Sequence, residues 1–192
     1  MTRVYEYDVF ISYHRTGALV PAWVRNHFHP RLAELLDENL PREAKIFFDE
    51  EITSGGKWPY EVRSALQRAR IVVAVCSPKY FYDEWCLAEW YSMAKREQLV
   101  VPGQGLIYPV IFCDSANFPG YAHERRMRDL KNWNQPYAHF QDAPAYLDFH
   151  REMERIAIEL TGLLDEVPPW QPDWPVETPE PPAPGTSRLP RF

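Results

Sequence analysis

The sequence predicts an α/β fold, a doubly wound parallel sheet of about five strands with helices on both faces. Short apolar runs typical of strands alternate with segments in which apolar residues recur at helical spacing. Residues 70–76 are almost entirely apolar, as expected for a central strand buried on both faces. Because such sheets bind ligands beyond the carboxyl ends of their strands, the residues that follow each strand are the first candidates for a functional site.

Three strands and two helices are predicted in the first half of the chain. Pro21 suits the first turn of the first helix, and Pro30 is expected to kink that helix or to end its first half. Gly55 and Gly56 mark a turn inside a polar loop, and Pro59 can open the second helix. The predicted order is strand 7–13, helix 20–36, strand 45–48, polar loop 49–58, helix 59–69 and strand 70–76.

The second half is predicted to hold two long helices and the remaining strands. Asp83 is a good N-cap for a helix that runs to about Glu97. Its core-facing stripe is predicted to be Leu87, Trp90, Tyr91 and Ala94. The later elements are a strand at 106–112, one helical turn at 124–130, a short edge strand at 137–140 and a last helix at 144–164.

A proline-rich segment follows the last helix. Nine of the final 28 residues are Pro, which favours extended polyproline geometry over sheet or helix. We therefore predict a domain at 1–166 and a tail or linker at 167–192, from which Trp170 and Trp174 are candidates to pack back onto the domain.

Composition limits the classes of partner. The 21 Lys and Arg residues against 27 Asp and Glu residues give a net charge of −6, which argues against direct binding of nucleic acid or an anionic membrane. No stretch approaches the roughly 20 apolar residues that span a bilayer, and residues 1–7 lack a signal-peptide core. Three cysteines without a secretion signal predict reduced thiols and a cytoplasmic protein. No paired Cys or His spacing indicates a metal site.

Trp85 and Glu89 are the most informative pair in the sequence. They lie one helical turn apart, on one face, just after a Ser-Pro turn. No Lys or Arg stands three or four positions from Glu89, so this carboxylate is predicted to meet a ligand rather than an ion-pair partner, away from the core stripe. The alternative is an ordinary solvated helix glutamate.

Three motifs resemble those of Toll/interleukin-1 receptor (TIR) domains, in the same order, over roughly residues 5–164. They are YDVFISY at 7–13, FFD at 47–49 followed by a glycine-containing loop, and SPxYFxxxWCxxE at 77–89. The resemblance implies a flavodoxin-like sheet. Two departures occur: residues 14–17 lack the acid that many members carry, and the loop after Asp49 lacks the Pro-Gly pair of many receptor-type members.

The resemblance also implies an activity. In the NAD-cleaving members the third motif carries the catalytic glutamate, here Glu89. The implied enzyme is an NAD+ nucleosidase that releases nicotinamide and ADP-ribose, or a cyclic or variant ADP-ribose signal, with NAD+ as substrate and no cofactor. The Trp-x-x-x-Glu spacing resembles bacterial members, many of which act in antiphage defence. Self-association that activates the enzyme, and a separate sensor or effector protein, are the implied partners. The alternatives are a non-catalytic interaction module and a sensor that binds nucleotide without turnover.

Six further residues are candidates for substrate binding. Arg15 could meet phosphate or ribose, or could lie in solvent beside a capped turn. Asp49 could meet the ligand or cap its loop, and Trp58 could contact substrate or pack within the loop. Trp85 could stack on a ring of the substrate or only shape the wall of the pocket. The full set is Ser12, Tyr13, Arg15, Asp49, Trp58 and Trp85.

Overall fold

The computed structural model describes residues 4–49, 60–100 and 105–179, and it contains one five-stranded sheet in the order β2-β1-β3-β4-β5. Every pair of neighbouring strands is parallel, which confirms the predicted fold class. The strand order reverses between β1 and β3, so ligands are expected at their carboxyl ends. The strands are β1 (Tyr7–Tyr13), β2 (Ile46–Phe47), β3 (Ala69–Cys76), β4 (Ile107–Ile111) and β5 (Arg128–Asp129).

Helices cover both faces of this sheet. Val9 and Ile11 of β1 pack into a core with the first two helices and the last one, whereas Phe10 packs into a second core with the middle helices. This alternation explains why the central strands are apolar throughout. The helices are α1 (Leu19–Trp23), α2 (His29–Asn39), α3 (Tyr60–Gln67), α4 (Glu84–Leu99), α5 (Gly120–His123) and α6 (Ala145–Glu166).

The irregularity expected near Pro30 takes the form of a π-helical segment, Val24–Phe28, between α1 and α2. Pro30 has no amide hydrogen to donate to the preceding turn, and a π-helical turn is one way in which a helix accommodates such a gap. Trp23, Leu32 and Leu36 of these helices face the core and are fully buried.

The fifth strand differs from the prediction. Residues 137–140 do not form an edge strand; a 3-10 helix, Ala138–Asp142, lies there and buries Phe140. The edge strand is β5, which has two residues, both polar, paired with Val110 and Ile111. Two residues are too few to show the alternation of apolar and polar side chains from which a strand is predicted. The helical turn expected at 124–130 is also wrong: α5 ends before it, at His123, and β5 lies within it.

The predicted core stripe of α4 is wrong in part. Trp90 is buried as predicted, but Tyr91 is 40% exposed, and Cys86, Glu89 and Met93 are fully buried. The inward face of α4 therefore includes a carboxylate. A stripe drawn through apolar residues alone cannot include Glu89, because its polar partners come from elsewhere in the chain.

The described part of the proline-rich segment packs against α3 and α4. Trp174 is 3% exposed and lies 5.1 Å from the Arg96 guanidinium carbon. The Trp170 indole donates a hydrogen bond to the Gln67 carbonyl at 3.1 Å. The division at 166/167 stays a prediction. Among the described residues, no helix combines the length and apolarity that crossing a bilayer requires.

Candidate functional site

At the carboxyl ends of β1 and β3, the Glu89 side chain lies between Ser12, in the first motif, and Arg15, two residues beyond that motif. The Ser12 hydroxyl donates to Oε2 of Glu89 at 2.5 Å, and Nη2 of Arg15 donates to Oε1 at 2.7 Å. The Glu89 side chain is 0% exposed. Both carboxylate oxygens are therefore engaged inside the protein.

This ion pair overturns the sequence prediction for Glu89. The carboxylate was expected to lack an ion-pair partner and to lie off the core stripe, yet it pairs with Arg15 on the buried face of α4. The solvent-exposed alternatives are also excluded, since the Arg15 side chain is only 8% exposed. The two residues are 74 positions apart in the chain, so helical spacing carries no information about the pair.

Tyr80 extends the site inward. Its hydroxyl lies 2.8 Å from the Ser12 oxygen, and because Ser12 donates to Glu89, Tyr80 donates to Ser12. Tyr80 is fully buried in the core, and its hydroxyl also orients Ser12. The sequence signal for this second role is the tyrosine of the SPxYF motif.

Burial sets the electrostatics of the pair. Burial raises the pKa of Glu89, and the charge of Arg15 and the hydrogen bond from Ser12 oppose that rise. Burial alone would lower the pKa of Arg15, but the charge of Glu89, its hydrogen bond to Arg15 and the nearby Cys86 and Tyr13 together raise the pKa. Arg15 therefore stays protonated, and Glu89 is the member that responds to pH. The buried Nε of Arg15 makes no hydrogen bond with any described residue.

A second contact ties the Arg15 loop to the start of α4. Nδ1 of His14 lies 2.7 Å from Oδ2 of Asp83. The other oxygen of Asp83 accepts from the amides of Trp85 and Cys86 at 2.9 and 3.2 Å, which confirms the predicted N-cap. The sequence did not single out His14 as part of the site.

The other candidates lie around this centre. The Tyr13 hydroxyl donates to the Asp49 carbonyl, and the Arg15 guanidinium carbon lies 5.5 Å from the centre of the Tyr13 ring. Trp85 is half-buried in the first turn of α4. Trp58 lies outside the described residues. Substrate contact stays a prediction for each of them.

Known proteins place the chain in a family. A family model described as the TIR domain matches residues 9–143. The chain belongs to the TIR domain family. This TIR domain is similar to the TIR domain of the Toll-related receptor TRR-2 from Hydra magnipapillata, with a TM-score of 0.51 and 18% identity over 79% of this chain and 98% of that one. At this identity the likeness shows the fold alone.

A second structure with a similar domain is the activated Roq1 resistosome that recognises the pathogen effector XopQ. Its TIR domains match with a TM-score of 0.40 and 20% identity over 83% of this chain and 84% of that one. A search of curated proteins finds no match. The TIR domain family includes NAD-cleaving enzymes and scaffolds, and TIR domains commonly self-associate.

Proposed function

We propose that this TIR domain is an NAD+ nucleosidase in which Glu89 is the catalytic residue. The observation that carries the proposal is the fully buried carboxylate at the β1–β3 edge, held by Ser12 and Arg15. Removing a carboxylate from water is costly, and the cost is met here by a charged partner and a hydroxyl at the edge where doubly wound sheets bind ligands.

The proposed reaction needs a negative charge more than it needs an acid. Breaking the nicotinamide–ribose bond passes through an oxocarbenium-like transition state, and nicotinamide leaves as a neutral molecule. A carboxylate beside the ribose stabilises the developing positive charge and accepts hydrogen bonds from ribose hydroxyls. Its burial strengthens both interactions, because little water is present to screen them.

Arg15 must leave Glu89 before substrate can reach it, since both carboxylate oxygens are occupied and the side chain is 0% exposed. In the proposed mechanism the guanidinium swings towards the pyrophosphate of NAD+, a group that arginine binds well through paired hydrogen bonds. Ser12 stays and holds the carboxylate in place. The described arrangement is then the closed state, and the free energy of opening weakens the apparent affinity for NAD+.

The remaining candidates complete the proposed pocket. Trp85 walls the side of α4 one turn before Glu89, and Tyr13 supports Arg15. Asp49, which follows β2, and Trp58, which lies outside the described residues, are the remaining proposed contacts. No cofactor takes part in this mechanism.

Self-association offers a source for the free energy of opening. A contact between copies could favour the open state, in which Arg15 has left Glu89. The specific activity would then rise with protein concentration, in keeping with the tendency of TIR domains to associate. We place this activity in bacterial antiphage defence, downstream of a separate sensor.

Nicotinamide release tests the proposal. Protein is incubated with NAD+ over a wide range of protein concentrations, and the products are separated by chromatography. We expect nicotinamide together with an ADP-ribose product, and a specific activity that rises with protein concentration. The same trace distinguishes linear from cyclic ADP-ribose.

The second candidate function is a non-catalytic scaffold, which one observation favours: the Arg15–Glu89 pair is also a buried cross-link between the loop after β1 and α4. Absence of nicotinamide at every protein concentration would contradict the enzyme and support the scaffold. Sedimentation would then test the scaffold function by measuring self-association.

A further inference from the structure

His14 ties the loop after β1 to the start of α4. Its Nδ1 lies 2.7 Å from Oδ2 of Asp83, and because an ionised carboxylate only accepts hydrogen bonds, Nδ1 is the donor. In the neutral ring Nε2 is then an acceptor, and it takes a hydrogen bond from the Thr16 hydroxyl at 2.9 Å. The imidazole therefore connects the residues on both sides of Arg15 to the N-cap of α4.

The rest of this loop borders solvent and open space. Residues 16–19 are exposed. His14, Thr16 and Gly17 line a cavity of about 340 Å³ at the carboxyl ends of β1, β3 and β4. The loop can therefore move without displacing core side chains, which is typical of segments that open at low cost in free energy.

Gly17 gives the loop a point at which to turn. Its φ is +154°, a conformation that residues with a side chain rarely adopt, and in the part of the chain that the structure describes no other residue has a positive φ. A glycine absorbs changes in backbone angle readily, as loop hinges do. Arg15 thus lies between a side-chain tie at His14 and a hinge at Gly17.

We propose that His14 is a positioning residue, which through Asp83 holds Arg15 on Glu89 and so sets the free energy of opening. This role rests on the proposed function in one respect: NAD+ reaches Glu89 only after Arg15 has left it. Breaking the tie raises the open fraction. The apparent dissociation constant for NAD+ then falls, because it equals the intrinsic constant divided by that fraction.

Chemical modification of arginine measures opening without substrate. The Arg15 side chain is 8% exposed in its pair with Glu89, so phenylglyoxal reaches it when the loop is open. The full chain is treated briefly, and modification at each arginine is quantified by peptide mass spectrometry. Exposed Arg25 and fully buried Arg96, which is bound to backbone carbonyls, are the fast and slow references in the same sample.

Two variants of His14 separate the tie from the side chain as such. His14→Ala breaks the tie, whereas His14→Asn keeps an N–H donor close to the position of Nδ1. We expect Arg15 to be modified several-fold faster in the His14→Ala variant and at close to the parent rate in the His14→Asn variant. The matched control is His150→Ala, which removes the imidazole from the His150–Glu154 pair on α6 and should leave the rate unchanged. Modification of Arg15 at the parent rate in the His14→Ala variant would overturn the proposal.

The kinetics of NAD+ cleavage separate positioning from stability. His14→Ala should lower KM for NAD+ several-fold and leave kcat close to that of the parent, because only the open fraction of the free enzyme changes. A loss of stability alone would reduce the amount of active enzyme and leave KM unchanged. An active His14→Ala variant whose KM does not fall would therefore refute the positioning role. Absence of nicotinamide from the parent would instead contradict the proposed function, and the modification rates of Arg15 would still decide whether His14 holds the loop.

Discussion

Two fully buried charges lie on α4, and their surroundings differ. Glu89 is held by side chains, Ser12 and Arg15, at the carboxyl edge of the sheet. Arg96, two turns later, is held by backbone, with the carbonyls of Ala69 at 2.9 Å and Leu66 at 3.2 Å. A guanidinium bound to carbonyls at the start of β3 and the end of α3 cannot move without breaking the scaffold. A carboxylate bound to a loop arginine can exchange that partner for a ligand.

Electrostatics support the same contrast. Burial lowers the pKa of Arg96 to about 10, against a weaker opposing effect of Tyr5, and no carboxylate among the described residues compensates for this burial. The cost of burying Glu89 is offset by the positive charge of Arg15. The comparison teaches that burial alone does not mark a functional charge. The decisive feature is whether the partners belong to the rigid backbone or to a loop.

The largest expected effect is on stability. Arg96→Ala leaves two buried carbonyls without donors and opens a cavity, which should cost about 4 kcal/mol of unfolding free energy. Urea denaturation measures this, with exposed Arg63→Ala as the control that stays within about 0.5 kcal/mol of the parent. Turnover per folded molecule should be unchanged. A loss below about 1 kcal/mol would mean that Arg96 is not part of the scaffold.

Arg15→Ala should have a smaller cost, about 2 to 3 kcal/mol. The variant leaves Glu89 buried without its counter-charge, but the carboxylate can relieve this by taking up a proton. KM for NAD+ should rise, because the variant also lacks the proposed partner of the pyrophosphate. Arg25→Ala, at an exposed position in the π-helical segment, is the control for general charge loss. Unchanged stability in the Arg15→Ala variant would show that the pair is not a cross-link.

The fold could be predicted from sequence to a greater depth than the site. Alternating apolar runs identified the parallel sheet, and the third motif pointed to Glu89. Neither could reveal Arg15 as the partner, because contacts between distant segments arise only when β1 and α4 pack together. Strand β5 was also missed, because two polar residues show no apolar periodicity. Glu89 can lie on the buried face because Ser12 and Arg15 donate to its two carboxylate oxygens, while Tyr80 orients Ser12.

The pH dependence of stability should distinguish the two charges. Burial raises the pKa of Glu89 from 4.5, so the folded state binds this proton more tightly than the unfolded state. Stability contributed by this group is present below the unfolded value and is lost as pH rises through the folded value. Relative to the Glu89→Gln variant, the parent should therefore lose stability across the window just above pH 4.5. Arg96 should contribute no slope there. A constant difference between parent and variant would contradict the raised pKa.

The smallest effect concerns the proline-rich segment. The Arg96 guanidinium carbon lies 5.1 Å from the centre of the Trp174 ring. A double-mutant cycle between Arg96→Met and Trp174→Leu should give a coupling energy of about 0.5 to 2 kcal/mol. A coupling energy near zero would show that Arg96 and Trp174 pack together without a cation–π interaction.

The measurement that tests the central claim most directly is the rate of nicotinamide release by the Glu89→Gln variant. The change keeps the shape of the side chain and removes its charge. We expect a loss of about a hundredfold or more per folded molecule. Glu84→Gln, an exposed carboxylate in the first turn of the same helix, should retain the parent rate. Release by the Glu89→Gln variant at the parent rate would contradict the assignment of Glu89 as the catalytic residue.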